Sequence, residues 1–178
     1  WVKNCKALSH TLLEALSPDS KTVATFPVWK TPSIGGVTKD ELLARLEKNG
    51  VSVYSWARDI MEQSAFTTSA EPQEVSFARL KVRDLGFTAM PTTQELFDER
   101  RLAGFGLALC EPDDGPHLRL ADTDQPRGTW YWVAMPPITD SGGSPHVFDV
   151  GRNDDGERWL YADITHPDYL WGLEHELV

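Results

Sequence analysis

Two tryptophans lie two residues apart, at Trp130 and Trp132, within a stretch that the sequence predicts to be a β-strand. Alternate side chains of a strand share a face, so both indoles would lie on one side, with Tyr131 and Val133 on the other. Paired indoles can line a ligand-binding cleft. The simpler interpretation is a central strand, covered by helices on one face and by Trp159 or a second subunit on the other. The sequence leaves both interpretations open.

Cationic residues are scarce near these tryptophans, because residues 111–178 contain only four Lys and Arg. One of them, Arg119, is predicted to lie beside loops that carry Asp124 and Asp140. A structural ion pair is the simpler interpretation, whereas a cation next to a tryptophan-lined cleft would anchor a carboxylate or another polar ligand. The candidate ligand-binding residues are therefore Trp130, Trp132, Arg119, Asp124 and Asp140.

Nucleophilic or acid–base chemistry has three candidate side chains, Cys110, His117 and His146. They would support a small hydrolase or transferase only if two of them met at a cleft. The acidic residues that follow Cys110 would raise the pKa of its thiol, so a buried structural cysteine is the simpler interpretation. No phosphate-binding glycine loop, nucleophile elbow or dinucleotide motif is found in the sequence.

Metal binding is not predicted either. The five histidines have no ligand spacing, and neither cysteine belongs to a Cys-x-x-Cys pair. The stretch from Asn153 to Gly156 matches part of a calcium loop, but Gly151 and Ala162 stand where acidic ligands are needed. A tight hairpin turn explains those residues better. We expect neither a metal nor a cofactor.

The net charge of −10 comes entirely from residues 111–178, which hold 14 Asp and Glu against 4 Lys and Arg, whereas the preceding 110 residues hold 13 of each. Direct nucleic-acid binding is not expected, since it depends on clustered Lys and Arg. A surface rich in carboxylates could instead imitate nucleic acid and occupy a basic protein partner.

The length of 178 residues and a hydrophobic content of 40% suit one domain with its own core. Its apolar stretches are too short to cross a bilayer, so no membrane association is predicted. Two cysteines far apart in sequence do not form the disulfide framework of a small secreted domain, which favours a reduced cytoplasmic protein.

The front of the chain has helical patterning. We predict an N-terminal helix within residues 1–21, spanning 2–16, and an extended segment over 22–29. Thr38 and Glu41 predict a capping box for a helix that runs to Asn49 and stops at Gly50. A second helix over 53–63 would complete an αα-hairpin. A strand over 75–82 and a helix that begins near Thr92 and ends near Gly104 follow.

The back of the chain is divided into short segments by Asp, Gly, Pro and Asn clusters, which is typical of an antiparallel meander. The predicted strands are Leu107 to Cys110, His117 to Ala121, Thr129 to Met135, His146 to Val150 and Arg158 to Ala162. Asn153 to Gly156 predicts a hairpin between the last two.

Several short phrases carry a resemblance. They are Phe26-Pro27-Val28-Trp29-Lys30-Thr31, Ser55-Trp56-Ala57, Ala65-Phe66-Thr67, Asp84-Leu85-Gly86-Phe87, Leu118-Arg119-Leu120, Asp124-Gln125-Pro126 with Gly128 and Trp130, and Pro137-Ile138-Thr139-Asp140-Ser141. Together they resemble a group of short bacterial hypothetical proteins, over Phe26 to about Trp171. The chain also looks like the products of mobile gene cassettes. The resemblance implies a shared fold and no activity. Gly142 stands where that group has an acidic residue, which weakens any ion-binding role for this turn.

The sequence thus predicts an α+β fold in one domain, residues 1–178, with a mainly helical part over 22–110 and an acidic, strand-rich part over 111–178. N-terminal helices would pack on a mainly antiparallel C-terminal sheet. The leading hypothesis is a non-catalytic cytoplasmic binding or interaction module with an aromatic-lined cleft or interface, for a small polar ligand or a basic protein partner. A homodimer is plausible. The alternatives are a nucleic-acid mimic and a small enzyme.

Overall fold

The structure is a computed structural model that describes residues 26–178. The helix predicted over 2–16 and the start of the extended segment predicted over 22–29 lie outside this range. The described residues adopt the predicted α+β fold. The helices are α1 (Lys39–Lys48), α2 (Ser55–Glu62), α3 (Thr93–Leu96), α4 (Glu99–Gly104) and α5 (Asp114–Ala121). The strands are β1 (Ser33–Ile34), β2 (Val51–Val53), β3 (Gln73–Glu74), β4 (Leu80–Lys81), β5 (Thr129–Trp132), β6 (Ile138–Thr139), β7 (Pro145–Arg152), β8 (Arg158–Ile164) and β9 (Glu176–Leu177).

The main sheet of the described residues has the order β2-β8-β7-β5-β9-β4, and β6 pairs with β7. Pairing is antiparallel except between β2 and β8 and between β5 and β9, which are parallel. The prediction of a mainly antiparallel sheet is confirmed. The prediction of a simple antiparallel meander is wrong, because both edge strands, β2 and β4, come from the front of the chain. A separate two-stranded ribbon pairs β1 with β3.

Helix α1 is confirmed together with its predicted ends. The Thr38 hydroxyl accepts a hydrogen bond from the backbone N–H of Glu41, and the Glu41 carboxylate accepts one from the N–H of Thr38. This reciprocal pair satisfies donors that the first turn leaves open. Gly50 ends the segment with a φ of 68°, a conformation that costs glycine little. Leu42 and Leu46 are buried on the inner face.

The predicted αα-hairpin is wrong. A helix is present, as α2, but the three residues of β2 lie between it and α1 and add the chain to the sheet instead. Val53, which the helical pattern included, belongs to β2. The β-branched residues at 51 and 53 favour a strand, and only pairing with the distant β8 makes that preference visible.

The strand predicted over His117 to Ala121 is also wrong, because these residues form the second half of α5. The five-residue alternation of apolar and polar side chains resembles a strand, but the helix begins three residues earlier. The first turn contains Asp114, whose negative charge is favourable at the positive end of the helix dipole. Pro116 is tolerated in the same turn because the backbone N–H that proline lacks would have no acceptor within the helix there. The sequence pattern was too short to separate the two periods.

Three other segments are less regular than predicted. Leu107 to Cys110 is not a strand. The strand predicted over 75–82 is reduced to β4, which is followed by a 3-10 turn (Val82–Leu85). The helix predicted from Thr92 divides into α3 and α4, because Asp98 caps a second start.

One face of the sheet packs on the helices. Phe148 and Val150 of β7 and Leu160 and Ala162 of β8 are fully buried there. Phe66, which follows α2, makes an edge-to-face contact with Phe148 at 6.1 Å between ring centroids. The front helices therefore cover the sheet as predicted, with α5 added from the back of the chain. None of the helices in residues 26–178 is both long and apolar enough to span a membrane.

Candidate functional site

The opposite face of the sheet carries a groove of about 460 Å³ that is lined mostly by aromatic side chains. We call it the aromatic groove. Its lining residues are Tyr54, Trp130, Trp132, Asp149, Asn153, Trp159, Tyr161 and Asp163. Most of them come from β5, β7, β8 and the loop after β7, whereas Tyr54 immediately precedes α2, so the register of three neighbouring strands sets most of the geometry of the groove.

The first cross-strand row of the groove runs through Trp130, Gly151 and Trp159, which are direct partners on β5, β7 and β8. A Cβ at position 151 would overlap the six-membered ring of Trp159, so this indole lies across the bare backbone of the glycine. The Trp159 indole N–H donates to Oδ1 of Asn153 at 2.9 Å, which fixes its orientation. Gly151 thus makes room for one wall of the groove.

The second row runs through Trp132, Asp149 and Tyr161. Both tryptophans of β5 are on this face, as the sequence predicted, but they differ in exposure: Trp130 is 50% exposed and Trp132 only 8%. The difference arises because the Trp132 ring packs against His175 at 4.4 Å and Trp171 at 5.5 Å between centroids. Trp132 is therefore fixed in place, whereas Trp130 forms an exposed wall.

Asp149 lies at the base of the groove and is only 5% exposed. Its Oδ1 atom is buried and has no hydrogen-bond partner among the described residues. Burial, together with the nearby charge of Asp163, raises the pKa of Asp149 to about 8. An acceptor that is buried without a donor destabilises the fold, which marks this carboxyl as a candidate functional group.

The rim of the groove is extended by two exposed rings from the start of α2. Tyr54 contacts Tyr161 edge to face at 5.5 Å, and Trp56 contacts the same ring at 5.6 Å. Tyr161 contacts Trp159 in turn at 6.4 Å. Burial raises the pKa of the Tyr161 hydroxyl, with smaller contributions from the charges of Asp163 and Asp149. This hydroxyl therefore stays neutral at ordinary pH.

Arg119, predicted as a ligand anchor, lies outside the groove. It is fully buried in α5, beneath β7, where it donates to the carbonyl oxygen of Gly151 at 2.8 Å and to that of Asp122. The Gln125 side chain accepts from Arg119 and donates to the carbonyl oxygen of Val150. Arg119 thus holds the strand segment that forms the base of the groove.

The two predicted acidic anchors also lie outside the groove lining. Asp124 is exposed and pairs with Lys30 at 2.8 Å. Asp140 accepts backbone hydrogen bonds from Gly142 and Ser144, and it bonds to Nε2 of His146 at 3.0 Å. The backbone bond from Ser144 is the main reason that the pKa of Asp140 is lowered. These carboxylates serve local structure, and a ligand-binding role for them stays a prediction.

The three residues of the enzyme alternative lie on different elements. Cys110 is buried, and its Sγ lies 3.4 Å from the carbonyl oxygen of Val178. The Nε2 atom of His117 accepts from the backbone of Gly35, and burial lowers the pKa of this imidazole. His146, on β7, bonds to Asp140 instead. These contacts bind the histidines to separate structural partners, and catalysis by these residues stays untested.

The negative charge of residues 111–178 is partly neutralised in the folded protein. Several of its carboxylates pair with bases from the front of the chain. They are Asp122 and Asp124 with Lys30, Glu174 with Lys81 and Arg83, and Glu176 with Arg79. Carboxylates that already pair with bases are poor imitations of free phosphate, but these are four of the 14 in residues 111–178, so the nucleic-acid mimic stays a prediction.

Asp149, Tyr161, Asp163, Asn153 and Tyr54 were not among the residues predicted from the sequence. A signal was present in β8, where Trp159, Tyr161 and Asp163 recur at the period of two that places side chains on one face. What the sequence does not show is the register that aligns this row with Trp130 and Trp132.

Within residues 26–178 no group of three or more His, Cys, Asp or Glu side chains is arranged to hold a metal ion. Comparison with known proteins gives no match to a family model, a curated protein or a solved structure. The resemblance to bacterial hypothetical proteins therefore stays a prediction.

Proposed function

We propose that this protein is a non-catalytic binding or interaction module that holds its ligand in the aromatic groove. One observation supports the proposal above the others: five aromatic side chains line a groove that also contains the buried carboxyl group of Asp149, whose Oδ1 atom has no hydrogen-bond partner among the described residues. Aromatic rings supply much of the binding energy of small-molecule sites, and a few polar groups fix the orientation of the ligand.

The support around the groove is also typical of a binding site. Most of its walls stand on strands rather than on mobile loops. Trp159 is fixed by the hydrogen bond that it donates to Asn153, and the backbone of Gly151 by the one that it accepts from Arg119. Rigid walls reduce the conformational entropy that the protein loses when a ligand binds. The groove is therefore preorganised for binding.

A thermal-shift screen with organic cations, neutral sugars and basic peptides tests the proposal, since a ligand of the folded state raises Tm. We expect a class of compounds to stabilise the protein, and the Trp130→Ala variant to lose that shift. Val28→Ala, which truncates another half-exposed side chain outside the groove, is the matched control. Shifts that survive Trp130→Ala would contradict the proposal, as would recovery of the ligand in a chemically altered form.

The cellular setting and the oligomeric state are part of the same proposal. The low cysteine content supports a reduced, cytoplasmic location. Tyr54, Trp56 and Trp130 are exposed on one face and could be covered in a homodimer. Sedimentation over a range of concentrations tests the homodimer, and Trp130→Ala should weaken any dimer formed through this face.

A further inference from the structure

The rings of the aromatic groove meet at steep angles instead of forming a flat platform. Trp130 and Trp132 meet at 76° between ring planes, and Trp159 and Tyr161 meet at 87°. Tyr54 meets Tyr161 at 79°. Rings at nearly right angles to one another leave no continuous flat surface, whereas a planar sugar-binding platform requires a ring face that lies open. The geometry therefore disfavours a flat sugar ring.

The polar groups of the groove favour positive charge. Asp149 offers a buried oxygen without a donor, and Asp163 supplies a second carboxylate nearby. None of the residues that line the groove is Lys, Arg or His. An anion would meet the charge of Asp163, and above about pH 8 also that of Asp149, without a compensating cation among the lining residues, so the groove disfavours anionic ligands.

Asn153, the one amide in the groove, is already engaged through both its oxygen and its nitrogen. Its Oδ1 accepts from Trp159, and one N–H of its Nδ2 donates to Glu157 at 2.8 Å. The indole N–H of Trp159 is used in the same contact. A sugar needs several donors and acceptors around its hydroxyl groups, and besides the hydroxyl groups of Tyr54 and Tyr161 this groove supplies mainly carboxyl groups and aromatic faces. That combination is the one that attracts organic cations.

The volume of about 460 Å³ lies in the range of sites for small molecules. It provides room for a compact ammonium group with its alkyl substituents. A volume of this size suits a free metabolite of this class better than an extended protein segment.

The geometry points to a small alkylated ammonium compound as the ligand of the aromatic groove, with its positive charge placed between the aromatic rings and Asp149. This inference rests on the proposed function and adds the chemical class of the ligand. The cation is attracted by the negative ring faces and compensates the buried carboxylate, whose Oδ1 atom has no hydrogen-bond partner among residues 26–178.

Calorimetric titration with choline and with 3,3-dimethylbutan-1-ol tests the inference. The two molecules have nearly the same shape, but the alcohol has a neutral carbon in place of the charged nitrogen. At pH 8.5 we expect choline to bind at least about tenfold more tightly than the alcohol, since only choline has a cation–π and charge contribution. Equal affinities, or no choline binding, would overturn the inference.

Two variants assign the effect to the carboxylate. Asp149→Asn keeps the side-chain shape but removes the charge, and we expect it to weaken choline binding at least about tenfold while affecting the alcohol little. Asp40→Asn, on the exposed surface of α1, removes an equal charge outside the groove and should leave both affinities unchanged. Equal losses in the two variants would show a general charge effect and overturn the inference.

A trimethyllysine peptide is the last ligand to be tested, because it presents the same trimethylammonium group on a peptide chain. Much tighter binding of the peptide than of choline would overturn the assignment to a free metabolite. Failure of all these cations, with another compound still stabilising the wild type and not Trp130→Ala, would refute the ligand class and leave the proposed function standing. If Trp130→Ala retains every stabilising shift, the proposed function itself fails.

Discussion

The two faces of strand β7 differ sharply in what they contribute. Phe148 and Val150 point to the helices and are buried among apolar side chains, whereas Asp149 and Gly151 alternate with them and form the base of the groove. The first pair stabilises the fold. The second pair contains a carboxyl that is costly to bury and a residue without a side chain. One strand therefore supplies stability on one face and a candidate site, at some cost in stability, on the other.

Truncation of the helix-covered face should have the largest effect. We expect Phe148→Ala to lower the free energy of unfolding by about 3 to 5 kcal/mol, because it removes a fully buried ring and leaves a cavity. Trp130→Ala, which truncates a larger but half-exposed ring on the groove face, should cost less than about 1 kcal/mol. Urea unfolding measures both values. Equal costs would show that the two faces do not differ as described.

Neutralising the groove carboxylate should instead stabilise the protein. Its pKa is about 8 in the folded state and near 4 when unfolded, so between these pH values the folded chain holds the extra proton and stability falls as pH rises. The penalty is absent below about pH 4 and complete above about pH 8. We therefore expect Asp149→Asn to gain on the order of 2 to 4 kcal/mol at pH 8.5.

Unfolding curves at pH 5 and pH 8.5 measure this gain for the variant relative to wild type. The gain should be clearly larger at pH 8.5, since Asp149 is protonated in the folded wild type at pH 5. The exposed variant Asp40→Asn should show no such pH-dependent gain. A loss of stability in Asp149→Asn at pH 8.5 would mean that the carboxylate has a stabilising partner.

Filling the space at Gly151 should damage the groove more than the fold. In Gly151→Ala the new methyl group displaces the Trp159 ring, which is only partly buried and can move outward. We expect a cost of about 1 to 2 kcal/mol and loss of choline binding. Gly104→Ala, at the end of α4 with no atom within 4 Å of the new Cβ, should leave choline binding unchanged and stabilise the protein by up to about 1 kcal/mol, because alanine favours a helix more than glycine does. Unchanged choline binding in Gly151→Ala would contradict the position of Trp159.

The pH dependence of binding should give the most specific effect. A permanent cation favours the ionised form of Asp149, so choline affinity should rise by up to about tenfold per pH unit below pH 8 and level off above it. Asp163, Tyr161 and Tyr54 are the other titratable groups that line the groove, and the pKa of the Tyr161 hydroxyl is raised. Titrations between pH 6 and 9 measure the profile, which should be flat in Asp149→Asn.

Features that depend on a few consecutive residues could be predicted from the sequence. The capping box of Thr38 and Glu41 gives the start of α1, and Asn153 to Gly156 forms the expected turn between β7 and β8. In both cases the deciding hydrogen bonds join residues three or four positions apart. The α+β class was also predictable, because periodicity changes between the front and the back of the chain.

Features that depend on distant partners could not be predicted in the same way. The edge strands β2 and β4 are too short to be recognised from the sequence pattern, and they are defined by pairing with β8 and β9. The groove also depends on pairing between strands that are distant in sequence. Trp130 and Trp132 were identified by their spacing, but Asp149 became a candidate only when the register placed it between Trp132 and Tyr161.

The order of strands in the main sheet has a consequence for protein synthesis. Val51 pairs with Arg158, and Leu80 pairs with Leu177, so segments translated early must wait for partners that leave the ribosome about a hundred residues later. Such non-local contacts slow folding and leave apolar side chains exposed on the nascent chain. The growing polypeptide should therefore depend on chaperones until β8 and β9 have emerged.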